Sequence, residues 1–222
     1  MSAFLAVLDP PRPVVRRING RVPPPEPPTG GGDDDDRDPP PRRGLENAPL
    51  ATMFLIAGEV MFFAGLISAY LVLRVGAAQW PPPLQPRLPL LVTGLNTLVL
   101  LGSSLAMVRT QGDRVRARVV RGLTVTAALG IVFLAVQGYE WVRLVRFGLT
   151  MTSGAYGSTF YTLIGVHALH VVGALVWLAI VRAGVGRGRF LEPSAAALRA
   201  CAMYWHFVVA LWPVLYVTVY LL

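Results

Sequence analysis

An all-α fold, a polytopic membrane bundle of five transmembrane helices, is what the sequence predicts, and three observations carry that prediction. The chain of 222 residues is 54% hydrophobic and only 14% charged. Its apolar residues fall into five runs, each long enough for the roughly 20 helical residues that cross a hydrocarbon core. Its basic residues gather at the ends of those runs.

Taken in order, residues 1–46 are read as a disordered cytoplasmic tail. Pro23-Pro24-Pro25, Gly30-Gly31-Gly32, the acidic run Asp33–Asp36 and Pro39-Pro40-Pro41 offer nothing that can form a core. The acidic run could hold a cation or a basic partner, or serve only as a solvated linker. Ser2–Leu8 is too short and uncharged for a secretory signal, and Asp9-Pro10-Pro11 ends it. The five-helix domain occupies 47–222, with spans at about 48–75, 88–109, 119–145, 156–182 and 199–222.

Span one ends at Trp80-Pro81-Pro82-Pro83, a stiff outer loop whose Trp suits the interfacial level. Its small residues Gly58, Gly65 and Ala69 form a stripe that invites close approach by another helix, as do Gly165, Ala168 and Val172 on span four. Asn96, Ser103 and Ser104 on span two can hydrogen-bond across helices. Gly112-Asp113 turns the chain into span three, and Gly148 and Gly154 loosen the connection into span four. Gly184, Gly186 and Gly188 precede span five, in which Pro213 removes a backbone donor and is expected to kink the helix. Cys201, the only cysteine, excludes an intrachain disulfide and is read as a packed thiol.

All 20 basic residues are Arg, a pattern of genomic base bias rather than of chemistry. The formal charge of +8 does not indicate nucleic acid, because the arginines sit at helix ends with no groove-reading motif. Their distribution sets the orientation. Arg37, Arg42, Arg43, Arg109, Arg114, Arg116, Arg118, Arg121, Arg182, Arg187, Arg189 and Arg199 fall on one side, against Arg74, Arg87, Arg143 and Arg146 on the other. Twelve against four places the N-terminus in the cytoplasm and the C-terminus outside.

Ionisable residues inside the spans are few: Glu59, Glu140, His167, His170 and His206. Such groups are expensive in hydrocarbon and commonly mark function. At 1.5 Å per residue, Glu59 lies about 15 Å from the cytoplasmic end of its span and His167 about 16 Å from the outer end of its own. Both are therefore near the midplane. His170 lies one turn from His167 on the same face. A pair between Glu59 and either histidine would resolve the burial, as an ion pair or as a neutral acid donating to a neutral imidazole. Its role is a proton relay or a polar clasp between helices. Glu140, near the outer end of span three, is expected to pair with Arg143. Two histidines on one face do not make a bis-histidine haem site, and His206 alone cannot complete two such sites. No di-iron carboxylate–histidine constellation is present either. No metal site is assigned and no residue is read as catalytic.

At these residues the chain resembles subunit III of the haem-copper oxidases, the cytochrome c and quinol oxidase superfamily, in its five-helix bacterial form. The resemblance runs through all five spans, over about residues 50–222. It rests on Phe54-Leu55-Ile56-Ala57-Gly58-Glu59-Val60-Met61-Phe62-Phe63; Leu95-Asn96-Thr97 with Ser103-Ser104; Gln137-Gly138-Tyr139-Glu140; Gly165-Val166-His167-Ala168-Leu169-His170-Val171; and Tyr204-Trp205-His206-Phe207-Val208. It implies a non-catalytic subunit of the bacterial cytoplasmic membrane without haem or copper of its own, those groups residing in partner subunits. The implied partners are oxidase subunit I, chiefly, and subunit II, together with bound phospholipid. The implied role is to support stability and proton uptake while the enzyme reduces O2 and pumps protons. Glu59 matches the family's buried, carbodiimide-reactive carboxylate. Arg74, Arg109 and Arg182 are the arginines expected at lipid phosphates. Where the family usually continues Trp-His-Phe-Val with Asp, this chain has Val208. That departure keeps open an accessory subunit of a nitric oxide reductase or another respiratory complex. An autonomous proton-coupled transporter is the other class, although no inverted repeat or broken helix supports it.

Overall fold

The computed structural model describes residues 47–83, 85–86, 88–113, 115–188 and 194–222, with the side chains of Ser194 and Ala195 left aside. The expected tail, and Arg87, Arg114 and Arg189 of the charge count, lie outside the described residues. The described chain is all-α: α1 (Ala48–Val75), α2 (Leu90–Gln111), α3 (Arg116–Arg146), α4 (Gly154–Gly186) and α5 (Ser194–Tyr216), extended by a π-helical turn at Val217–Leu221. All five helices are long and apolar enough to cross a membrane.

Local chemistry sets the helix ends. Pro49 opens α1, where its missing N–H costs nothing. The α3 terminus is closed by Gly148 at φ +91°. The Gly148 and Leu149 N–H groups reach back to the Val145 and Leu144 carbonyls, satisfying acceptors that the helix leaves open. Gly154, at φ +78°, then lets the chain turn directly into α4. Pro213 lies within α5, which nevertheless continues to Tyr216.

The helix α5 is the hub, touching α1, α2 and α4, while α2–α3 and α3–α4 pack side by side. Its Trp205 and Trp212 are fully enclosed, at 1% and 0% exposure. Close approaches seat them: a methyl on Gly130 of α3 would come within 2.6 Å of Trp205. Hydrogen bonds across helices fix the rotation of α5. The Trp205 indole donates to Ser103 Oγ at 3.2 Å, and the Trp212 indole donates to Thr97 Oγ1 at 2.8 Å. Asn96 donates to the Phe133 carbonyl at 3.0 Å. Cys201 is buried in the same core.

By contrast α1 is thinly covered. Only Thr52, Phe63 and Tyr70 of its 28 residues are buried, and it rests on α5 with a lighter contact to α4. The stripe expected to bring another helix close is not used inside the described chain. A methyl on Gly58 or Gly65 would meet nothing within 4 Å. The reason is that α1 turns Phe63 and Tyr70, not the glycines, towards the bundle.

Candidate functional site: a carboxylate–imidazole pair at mid-span

Glu59 meets His170, with Oε2 3.0 Å from Nε2. Of the two histidines considered, α4 directs His170 at α1, while His167 faces the bundle axis. The other ring nitrogen of His170, Nδ1, lies 2.7 Å from the Val166 carbonyl. A carbonyl can only accept, so Nδ1 carries a proton. One further proton then lies between Nε2 and Oε2. It belongs to the acid in one microstate and to the imidazole in the other, and the pair has no net charge in either. That neutrality lowers the cost of placing two ionisable groups in hydrocarbon, where an isolated ion is penalised most. Phe63 packs edge-on to His170, with ring centres 5.1 Å apart, and restrains its orientation.

The site is not sealed. The two side chains retain 18% and 17% exposure, at a groove of about 460 Å³ lined by Phe54, Leu55, Gly58, Glu59, Phe62 and His170. Glu59 therefore opens towards the outside of the bundle.

His167 is wholly buried between α1, α4 and α5. Its ring lies tilted 30° against Trp212, with centres 5.1 Å apart, and Phe63 approaches from α1. Neither nitrogen has a hydrogen-bond partner among the described residues. An unpartnered imidazole costs its desolvation without a compensating bond. His167→Leu, close in volume, is accordingly expected to leave thermal stability in mild detergent unchanged or to raise it by about 1 kcal/mol. A clear loss of stability would mean that the imidazole has a partner, such as a buried water.

His206 lies apart from this pair, towards the C-terminal end of α2. Its Nδ1 is 2.6 Å from Ser104 Oγ and its Nε2 is 3.1 Å from Gln111 Nε2. An amide nitrogen donates, so this assignment makes Nε2 the acceptor and Nδ1 the donor to serine. Gln111 was not legible as a site residue, since a polar residue at a helix end ordinarily faces water. Glu140 is 4% exposed and takes Arg143 Nη1 at 3.1 and 3.3 Å. Arg143 is itself 45% exposed, so solvent screening leaves the pair little net stabilising value.

Beside Glu140 lies a polar contact that sequence reading did not anticipate: Gln137 donates to the Tyr220 hydroxyl at 3.0 Å. A Gln one helical turn below an acid was its only signal.

The arginines differ in their setting. Arg74 donates to the Tyr70 hydroxyl at 3.2 Å, and Tyr70 stacks edge-on against Trp80, which stacks in turn on Tyr156. Arg182 donates from Nε to Thr124 Oγ1 at 2.7 Å, leaving the end of its guanidinium exposed. Arg109 is exposed at the last turn of α2.

The histidines are poorly placed as haem ligands. Both nitrogens of His170 and of His206 are occupied, and His167 is enclosed by aromatic rings. Among the described residues, no group of three or more His, Cys, Asp or Glu is placed to hold a metal ion.

Comparison with known proteins adds independent findings. A family model described as cytochrome c oxidase subunit III matches residues 41–222. A cytochrome c oxidase subunit 3 of Synechocystis is 38% identical over 174 residues, covering 77% of this chain and 73% of its own length. Proteins of the same name from Corynebacterium diphtheriae, 31% identical with 77% of this chain and 86% of theirs covered, and Thermostichus vulcanus, 33% identical with 78% and 86% covered, are similar along comparable lengths.

Proposed function

The chain belongs to the cytochrome c oxidase subunit III family, and on that premise we propose that it is the non-catalytic partner of a larger haem- and copper-bearing subunit I, assembled also with subunit II. It is a multi-pass bacterial membrane protein and subunit III of a haem-copper oxidase. In this reading the N-terminus faces the cytoplasm and the C-terminus lies outside. Reduction of O2 and proton pumping occur in the partner subunits, where the haem and copper reside.

The single observation that supports the non-redox role is the match to the subunit III family over residues 41–222; in keeping with it, His170 and His206 are hydrogen-bonded through both nitrogens and His167 is buried. What this chain contributes is a held proton. The Glu59–His170 pair stores one proton between two heavy atoms 3.0 Å apart, at mid-span, and clasps α1 to α4. By holding α1 in register the pair supports the stability of the complex. By exchanging that proton it supports proton supply to the catalytic subunit. Arg74, Arg109 and Arg182 present guanidinium groups at the two ends of the bundle, where phospholipid phosphates lie. Val208, in place of the family's usual Asp, is 1% exposed and packs in the apolar core, so that position needs no polar partner here.

Purification in a mild detergent tests the assignment. A reduced-minus-oxidised haem spectrum is expected from the complex, with the spectrum lost when this chain is isolated. A colourless chain that associates with no oxidase would overturn it. For the clasp, Glu59→Gln is expected to leave assembly close to wild type. Glu59→Ala, which removes the hydrogen bond, is expected to weaken the α1–α4 contact by about 1–2 kcal/mol. Retention of the chain after detergent washing reads this out, and loss of assembly in Glu59→Gln would rule out the clasp.

A further inference from the structure

The least covered helix carries the most demanding polar group. Glu59 uses Oε2 on His170, whose two nitrogens are then both engaged. Glu59 lines the groove beside Gly58, and the only contact shown for its carboxylate among the described residues is made by Oε2, which leaves Oε1 without one. This oxygen carries lone pairs in both microstates, because the mobile proton sits on the Oε2 side. It lies about 17 Å along α1 from Ala48 at 1.5 Å per residue, near the middle of the span. Water is scarce at that depth, so an open acceptor there costs free energy until a donor reaches it.

We propose that this groove, on the α1–α4 face, is the docking site for one transmembrane helix of a partner subunit, which brings a neutral hydrogen-bond donor to Glu59 Oε1. The donor is a Ser, Thr, Asn, Gln, Tyr or Trp side chain. A lysine or arginine is disfavoured because the Glu59–His170 pair has no net charge to offset a cation in hydrocarbon. Gly58 forms the floor at which the incoming backbone approaches, since even a methyl there meets nothing within 4 Å among the described residues. Phe54 and Phe62, exposed at 72% and 47%, form the flanks.

Other occupants fit less well. An acyl chain fills the space but donates no hydrogen bond. A second copy, related by a two-fold axis along the membrane normal, would set one Glu59 acceptor opposite another at the same depth. The segment 1–46 carries Asp33–Asp36 and four proline runs or pairs within a stretch whose longest apolar start, Ser2–Leu8, is far shorter than a span.

The inference rests on the oxidase-subunit reading above, and the test separates the two. The complex is purified with p-benzoylphenylalanine replacing Phe54 or Phe62, irradiated, and the crosslinked peptides sequenced by mass spectrometry. The expected product joins this chain to a transmembrane segment of another subunit bearing a neutral donor within about one turn of the crosslink. Adding Gly58→Leu is expected to lower that product at least tenfold while leaving the unfolding temperature of the isolated chain unchanged. Crosslinks confined to phospholipid or to a second copy, or an unchanged yield with Gly58→Leu, would overturn the docking site. Failure of any haem-bearing subunit to co-purify would instead defeat the oxidase reading itself, before a crosslink is examined.

Discussion

Trp212→Ala is expected to destabilise the bundle by about 3–5 kcal/mol, the range for deleting a large aromatic side chain from a core. In a domain of this size that lowers the unfolding temperature by on the order of 10 °C. Trp212 is completely buried and joins three other helices at one point. It meets Phe133 of α3 edge-on at 4.9 Å, stacks on His167 of α4 at 5.1 Å and donates to Thr97 of α2 at 2.8 Å. Truncation therefore opens a cavity that no single neighbour can fill. Trp212→Phe separates the contributions, because it keeps most of the ring and removes only the indole donor. It is expected to cost about 1 kcal/mol, in the range of interhelical hydrogen bonds in membranes. Thermal unfolding followed by circular dichroism in mild detergent measures both variants. Equal losses would show that the hydrogen bond, not the packing, holds the helices.

Gly130→Val is expected to have the next largest effect, a loss of about 3 kcal/mol or more through overpacking. The first added carbon would sit 2.6 Å from Trp205 Cη2 and 3.1 Å from Leu175 Cδ2. Trp205 is held by Ser103 and is 1% exposed, so it cannot swing aside. Gly138 on the same helix is the control, since its added carbon meets nothing within 4 Å. Gly138→Val is expected to change stability little, and similar losses at both positions would point to helix propensity in place of contact. Gly130 thus acts as the recess in α3 that admits the indole of α5.

Much of the architecture was legible in the amino-acid order. Apolar runs of spanning length specify membrane helices because hydrocarbon leaves the backbone no other local solution than to bond to itself. Asn96, Ser103 and Ser104 could be read as cross-helix donors or acceptors for the same reason, and each does bond across a helix pair. The Glu140–Arg143 contact followed from i, i+3 spacing alone. Depth counting brought Glu59 and the α4 histidines to the same level. It could not choose between His167 and His170, because residues three apart share a face and differ only by a modest rotation. The small-residue stripe of α1 was legible as a surface for close approach, but not which helix it would meet, and no described helix uses it. Spacing shows that Gly58 and Gly65 share one side of the helix, but not whether that side meets this chain or another molecule.

The sequence by itself determined the fold class, the helix number and the depth of the buried acid, since each follows from local backbone bonding and the transfer of side chains into hydrocarbon. Tertiary structure alone decided that Glu59 meets His170, that His167 is left unpartnered against Trp212, and that the Glu59 groove opens outward. Those outcomes depend on the rotation of each helix about its own axis. Rotation is set by a few long-range contacts, Trp205 into the Gly130 recess and the two indoles onto Ser103 and Thr97. An apolar helix surrounded by apolar neighbours and lipid has no periodic polar face to declare which side is in.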